Sequence, residues 1–460
     1  MSEFIATLGA SQEEDRDLAA LPAARLVVPS GRALGLLCVV LALSVAASID
    51  ATWHLAWLGA SVGVLLVFAL DAVLVLRRAL PKVRRRHAHA LSLGVETEVH
   101  IGLTAGDARA LQVRLHDHVL GEVEVHGLPQ TLKIAAGQTA DVVYRLRPVR
   151  RGMLHLGGVE LRVRSLLGLW EMRCTTGSPS RVRVYPNFTA LARYALLATD
   201  NRLSQLGVLQ RRRRGEGLEF HQIREYRQGD TPRQIDWKAS ARVRGLVSRE
   251  YRDERDQQIL LLLDCGRRMH ARDGDLSHLD HALNAALLLA FVALRQGDAV
   301  GLMTFGGVDR YVAPRKSQAS LNGLMAHSYD LEATLHASDY YSAAVQLLGR
   351  QRKRSLVVIL SNLRDEDDDT LRPALSLLRQ RHVVVLASLR ERILDNALLS
   401  KIGGLDDALT HAATAQYLEQ RKRQFALLEQ ERFPCIDVEP QQLPIALVNR
   451  YTELKRRGAI

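Results

Sequence analysis

Two long apolar runs near the start of the chain constrain it more than any other feature. The first, Gly31–Ile49, reads GRALGLLCVVLALSVAASI and is apolar after Arg32; the second covers residues 55–76. At 1.5 Å per residue, each is long enough to cross a hydrocarbon core of about 30 Å as a helix. Only a few residues connect them, which predicts a transmembrane hairpin. A cleavable leader fits poorly, because a polar tail with Glu13, Glu14 and Asp15 comes first and a second span follows at once. A buried hairpin of a soluble protein is the competing reading. Trp53 and Trp57, placed where interfacial aromatics belong, count against it. The connecting loop offers Asp50 and His54 but no Lys or Arg. Arg77, Arg78, Lys82, Arg84, Arg85 and Arg86 follow the second span, and Arg25 and Arg32 flank the first. The positive-inside rule therefore predicts cytoplasmic termini and a cytoplasmic body. The basic run is expected to grip anionic lipid headgroups at roughly 1 kcal/mol per residue. Asp71, within the second span, reads either as part of a proton or ion relay or as a residue near the inner interface on the face of Arg78. The interfacial reading is preferred.

A chain of 460 residues exceeds one compact core, and two or three folded units are expected. Its formal charge of +12 points to nucleic acid or an anionic membrane surface, and the basic run beside the hairpin favours the membrane. Cys38, Cys174, Cys265 and Cys435 lie far apart and form no CxxC pair. That excludes a zinc knuckle or a disulfide scaffold and fits a reducing compartment. The expected organisation is a tail over 1–30, the hairpin over 31–77, a basic linker over 78–88, a β-sandwich over 89–190, a linker with a central motif over 191–257, and an α/β domain over 258–460.

The sandwich is read from alternation. ALSLGVETEVHIGL, ALQVRLHDHV, TADVVYRLRPV, GVELRVRSLLG and SRVRVYP each place apolar residues at every second position, as half-buried antiparallel strands do. Turn signals at 105–107, 136–138 and Gly157-Gly158 separate them, and an immunoglobulin-like architecture is predicted. Arg145, Arg147, Arg150, Arg151, Arg162 and Arg164 fall on faces without interleaved aromatics. They therefore read as a solvated face rather than a nucleic-acid surface. The His87/His89 and His116/His118 pairs read as surface histidines.

Residues 219–242 read EFHQIREYRQGDTPRQIDWKASAR. Gln228 to Pro232 form a turn, Pro232 fits the start of a short helix, and Asp230 is placed to cap it. Tyr226 and Trp237 are large anchors, with Arg224, Arg227, Arg233 and Lys238 facing Glu219, Glu225, Asp230 and Asp236. This is either a docking surface or a buried network with Trp237 in the core. The run Arg211 to Arg214 reads as solvated.

This segment resembles the bacterial domain-of-unknown-function 58 family. The resemblance rests on the EF start, the REY step, the GD-x-x-R turn and the IDWKASAR end. RPVRRGMLHLGGVELRVRSLLGLW and RVRVYPNF upstream, and LPIALVNRYTELKRRG at the end, extend it over essentially the whole chain. It implies a partner, a MoxR-type AAA+ ATPase; Glu219, Arg224, Tyr226, Gly229, Asp230, Arg233, Asp236, Trp237 and Lys238 are the motif residues, an interaction surface or a buried network. The family supplies no established reaction.

From residue 258 onward, QILLLLD, AVGLMTF, SLVVILS and HVVVLAS are short continuous apolar runs, the mark of strands covered on both faces. Helices are expected at 279–296, 319–329, 341–349 and 370–381. The pattern predicts a doubly wound parallel sheet and resembles a von Willebrand factor A-like domain. Its metal-dependent adhesion site, Asp-x-Ser-x-Ser, is degraded here to Asp264-Cys265-Gly266-Arg267-Arg268, and Asn362 stands at the later aspartate position. Asp264 and Asp339 remain, with the acidic run Asp365 to Asp369 near the same rim. Hard cations need converging oxygens, so Mg²⁺ at Asp264 is disfavoured and no cofactor is expected. No GxSxG, HExxH or phosphate-loop motif is present. The expected function is a non-enzymatic scaffold or adaptor at the bacterial inner membrane, working with the ATPase and binding no nucleic acid. A metal-dependent ligand-binding module centred on Asp264 is the alternative.

Overall fold

The computed structural model describes residues 16–17, 25–106, 110–177, 179–187, 219–227, 235–243, 245–252, 257–364 and 368–460. The chain divides into two compact units, Met1–Tyr185 and Pro186–Ile460.

In the first unit, strands β1 (Arg16–Asp17) and β2 (Leu26–Pro29) precede helices α1 (Gly31–Ile49) and α2 (His54–Leu76). Both helices are long and apolar enough to cross a membrane, and only about a tenth of either span is buried. Leu41 is 65% exposed, and Leu55, Leu65 and Leu66 are exposed with it. A core helix of a soluble protein would bury such a surface.

Strands β3 (Lys82–Arg86), β4 (Ala90–Ser92), β5 (Thr97–Thr104), β6 (Leu111–Leu120), β7 (Val123–His126), β8 (Gln130–Ile134), β9 (Thr139–Pro148), β10 (Gly152–Arg164), β11 (Trp170–Thr176) and β12 (Ser180–Tyr185) follow. One sheet has the order β1-β3-β5-β9-β7. The other runs β2-β11-β10-β12-β4, with β6 pairing β10 and β8. Alternation buries Val99, Ile101, Leu103, Val142 and Leu146 of the first sheet and Val113, Leu115, Leu161 and Val163 of the second, as the period of two requires.

Three expectations are corrected here. The basic stretch 78–88 contains a sandwich strand. In β3 the residues alternate exposed and buried, so Arg85 turns inward to pair with Asp117. The tail 1–30 supplies β2, which pairs antiparallel with β11 from Trp170↔Pro29 to Arg173↔Leu26. Gly157-Gly158 is a bulge inside β10, where its register against β6 shifts between Leu156 and Val159. A Cβ at Gly158 would come 2.5 Å from Thr175 Cγ2.

Basic side chains of the sandwich pair with acids at its surface, Arg145 with Glu98, Arg147 with Glu124, Arg150 with Glu122 and Arg162 with Glu160. His87 is buried against Ser180 Oγ at 3.2 Å, contrary to its expected place at the surface.

The second unit opens with an antiparallel pair, β13 (Glu219–Glu225) and β14 (Val247–Arg252), with the short helix α3 (Trp237–Val243) between them in sequence. The remainder comprises β15 (Gln258–Asp264), the two-residue strands β16 (Arg272–Asp273) and β17 (Leu276–Ser277), α4 (His278–Arg295), β18 (Ala299–Phe305), β19 (Tyr311–Arg315), α5 (Gln318–Ala326), α6 (Tyr340–Arg350), β20 (Leu356–Ser361), α7 (Asp368–Arg379), β21 (Val383–Leu389), α8 (Arg392–Leu399), α9 (Leu405–Gln430), β22 (Cys435–Val438) and α10 (Leu443–Arg456). The sheet order is β19-β18-β15-β20-β21-β22. Every pairing is parallel except the β19 edge. On one face, Leu260, Leu262, Val357 and Ile359 pack with α6, α7 and α9 through Ala344, Leu347, Leu375, Phe425 and Leu428. Helices α4 and α10 pack together and meet β15 and β21. The result is the doubly wound layering that continuous apolar strands demand.

Candidate functional site

In such sheets, ligands meet the carboxyl ends of the strands where the order reverses. Here that crevice lies between β15 and β20, and Asp264 and Ser361 end those two strands. The Asp264 carboxylate is 1% exposed. Its Oδ1 accepts from Ser338 Oγ at 2.5 Å and from the Gly266 N–H at 2.7 Å, and its Oδ2 accepts from Ser361 Oγ at 2.6 Å. Tyr340 Oη lies 2.6 Å from the Ser361 hydroxyl. Burial pushes the Asp264 carboxyl above its ordinary value, while the Ser338 and Ser361 hydroxyls and the Gly266 N–H pull it down.

Ser338 Oγ occupies the space that a Cβ at Gly266 would need. Gly306, at φ +72°, is equally confined, its hypothetical Cβ 2.8 Å from Ser338 Oγ and 3.0 Å from Asp264 Oδ1. The sheet end is therefore closed by its own side chains. A divalent cation requires several oxygen ligands offering lone pairs. Here one carboxylate accepts from three protein donors. Among the described residues no three His, Cys, Asp or Glu side chains group as metal ligands. Asp339 is directed elsewhere, capping α6 by accepting from the Ser342 N–H at 3.0 Å. Of the acidic run, Asp365, Glu366 and Asp367 lie outside the described residues.

A second polar network adjoins the first at the ends of β20 and β21. Asn362, fully buried, donates to Glu391 Oε1 at 2.6 Å, and Arg364 donates to the same oxygen at 3.2 Å. Arg421 of α9 is 3% exposed. It donates to the Leu363 carbonyl at 2.5 Å, to Ser388 Oγ at 2.7 Å, to the Leu389 carbonyl at 3.0 Å and to Asp437 Oδ1 at 2.7 Å. The guanidinium thus satisfies strand-end carbonyls that the sheet leaves unpaired. His278 Nε2 lies 3.2 Å from Asp273 Oδ2. Burial depresses its imidazole against the pull of Glu391 and Asp273. Asn362 is thus a spoke of this network and shares no ligand shell with Asp264. Arg421 escapes sequence reasoning because it is one of several charged residues in QRKRQ. Glu391 carries one usable signal, its place just past the carboxyl end of β21.

Part of the central motif lies within the described residues. Asp236 is buried and starts α3, its Oδ1 accepting from the Ala239 N–H at 3.0 Å and its backbone N–H donating to Val247 O at 3.0 Å. Ser240 Oγ in turn accepts from the Val247 N–H at 3.0 Å. Trp237 is 65% exposed, so it does not enter the core, and Lys238 is exposed beside it. Tyr226 is half-buried and ties the β13 end to Leu246 through its backbone N–H at 2.9 Å. Arg224 donates to the Glu225 carbonyl at 2.9 Å. Glu219 opens β13. Gly229, Asp230, Pro232 and Arg233 lie outside the described residues, as does the run Arg211 to Arg214. The helix that is described begins at Trp237 and is capped by Asp236.

Together, the two exposed apolar helices, the sandwich and the parallel sheet define a membrane-associated multidomain protein. Residues 222–421 match the family described as protein of unknown function DUF58. The match takes in the central motif from Gln222 and the sheet as far as Arg421, a narrower extent than the residue resemblance implied. No curated protein matches. Among solved structures, an aerotolerance-related membrane protein from Bacteroides fragilis is 15% identical, covering 44% of this chain and 99% of that one at a TM-score of 0.27. A Salmonella alpha-2-macroglobulin is 15% identical with a TM-score of 0.19, and this chain spans 7% of its length and 23% of its own. The CARDB domain of a Pyrococcus furiosus protein is 9% identical, covering 23% of this chain and 90% of that one at a TM-score of 0.17. Likenesses this slight transfer neither fold nor function.

Proposed function

We propose that the chain is a non-enzymatic scaffold, tethered by its hairpin to the bacterial plasma membrane with both termini cytoplasmic. On this reading it works with a MoxR-type AAA+ ATPase in maturing a protein complex. The observation that carries the reading is the outward Trp237. A tryptophan on a short helix, held by the Asp236 cap and flanked by Lys238, is the kind of residue that dominates protein interfaces. Ile223 and Leu246, on the neighbouring strand and turn, are about half exposed and extend the apolar offering. The strand order and the place of Asp264 support a von Willebrand factor A-like reading of the α/β domain. Closure of its sheet end by Ser338 favours protein contact over metal-dependent binding. Arg77 and Lys82 are exposed beside the hairpin and suit anionic headgroups, and the cytoplasmic placement follows from these basic flanks.

The test is co-purification from membranes under nucleotide-trapping conditions. The native chain should retain an AAA+ ATPase and Trp237→Ala should lose most of it. Repeated failure of the native chain to retain any ATPase would overturn the proposal. Calorimetry with Mg²⁺ and Mn²⁺ separates the alternative, since a millimolar-range heat that Asp264→Asn abolishes would favour the metal-dependent module.

A further inference from the structure

Helix α2 and the sandwich are joined at an unusual depth. Asp71 is fully buried, although it lies five residues before the end of a helix of membrane-spanning length. Its carboxylate accepts from Ser165 Oγ at 2.6 Å and from the backbone N–H groups of Leu167 and Leu169, both at 3.3 Å. One turn earlier, the Trp170 indole donates to the Phe68 carbonyl at 3.0 Å, and the two rings meet edge-on at 5.7 Å. The start of α1 holds the same loop. The Ser30 N–H donates to Leu169 O at 2.8 Å and the Ser30 hydroxyl to Gly168 O at 2.6 Å. Nearby, the Arg78 guanidinium donates to the carbonyls of Arg164 and Ala110. Asp71 is the clasp that holds loop 165–169 against both helices.

From that loop Leu166 and Leu167 project, 61% and 48% exposed. A single exposed leucine needs no explanation. These two are fixed at the level of residues 68–71 of α2, where Val67, Leu70, Val73 and Leu74 present exposed apolar side chains. From His54 to Asp71 the helix rises about 25 Å at 1.5 Å per residue. A hydrocarbon layer of about 30 Å measured from the same end reaches past the loop by roughly 5 Å. At that depth the Asp71 side chain accepts from three donors, which answers the usual objection to a polar group there. We infer that loop 165–169 is a lipid-inserting element that seats Leu166 and Leu167 in the acyl region of the leaflet on the sandwich side. The inference rests on the hairpin spanning the bilayer.

The test uses the full chain with Cys38→Ala and Cys435→Ser, reconstituted in vesicles of phosphatidylcholine and phosphatidylglycerol. Leu166→Cys, Leu167→Cys, Leu65→Cys and Leu120→Cys are each labelled with a nitroxide. Collisions with oxygen are compared with collisions with a water-soluble nickel chelate. Leu120, 65% exposed at the far end of β6 from Ala110, reports the aqueous side, and Leu65, in mid-helix, reports the bilayer. Labels at 166 and 167 should resemble the Leu65 label, with chelate collisions several-fold below those at 120. If they match the Leu120 label while the Leu65 label stays oxygen-dominated, the hairpin spans but the loop is in water, and the inference falls alone. If the Leu65 label is also open to the chelate, the membrane reading falls and takes the inference with it.

Discussion

Asp264 shows how a single carboxylate is spent on structure. With three donors aimed at it, Asp264→Ala removes every acceptor at once, taking the partner from the Ser338 hydroxyl and the Gly266 N–H and leaving the Ser361 hydroxyl with Tyr340 alone. A loss of about 2–4 kcal/mol is expected in denaturant unfolding of the full chain. Gly266→Ala should also destabilise, because the new methyl falls on Ser338 Oγ. Ser338→Gly in the same chain should recover part of the loss, and no recovery would mean the clash lies elsewhere. The histidines set the acid limit. Burial holds His278, His281 and His382 below the ordinary imidazole value. The unfolded chain therefore binds protons near pH 6.5 that the fold refuses. Stability is full above that pH and falls as pH drops below it. Asp264, raised by burial, works in the opposite sense at lower pH. The melting temperature in detergent should drop between about pH 7.5 and about pH 5.5, and His278→Gln should shrink the drop. At this scale the sequence located Asp264 because it ends an apolar strand. It could not show Ser338 closing the site, since the two residues are 74 positions apart and nothing local marks a serine that packs over a distant glycine.

Element by element, the sandwich is held at its centre by a pair that alternation alone does not reveal. Arg85 of β3 and Tyr144 of β9 both bond Asp117 of β6, linking the two sheets. Burial raises the Asp117 carboxyl and Arg85 pulls it back. Arg85→Met leaves that charge without its cation and should cost about 3–5 kcal/mol, whereas Arg85→Met with Asp117→Leu should recover most of it. Equal losses in the single and double variants would show that the pair is not the cause. The period-two pattern found β5, β6, β9 and β12 because each has one wet face. It missed β3, where consecutive arginines looked like a solvated run, and it divided β10 at the glycines that form its bulge. Strand β2 was hidden for another reason, being four residues long and lying on the far side of the hairpin from its partner.

For the whole molecule, the proposed function makes Trp237 the residue presented to a partner. Trp237→Ala should leave the melting temperature within about 1 °C of the native chain, since an exposed side chain contributes little to the fold, while retention of the ATPase falls. A large loss of stability would mean that Trp237 serves the fold. The class of each unit was legible in the sequence because strand and helix periods differ. The choice between a buried and an outward Trp237 was not, because a tryptophan beside alternating charges suits both.

The pairing of β2 with β11 also sets an order of events during synthesis. Residues 26–29 leave the ribosome before the two helices, and their partner at 170–173 follows roughly seven to thirty seconds later. The seven-stranded sheet therefore cannot close until both helices have been synthesised. Until residues 170–173 arrive, β2 is without its partner, and an unfinished sheet edge is the kind of surface that proteases and chaperones recognise. Closing the seven-stranded sheet thus also fastens the chain ahead of the two apolar helices to the chain that follows them.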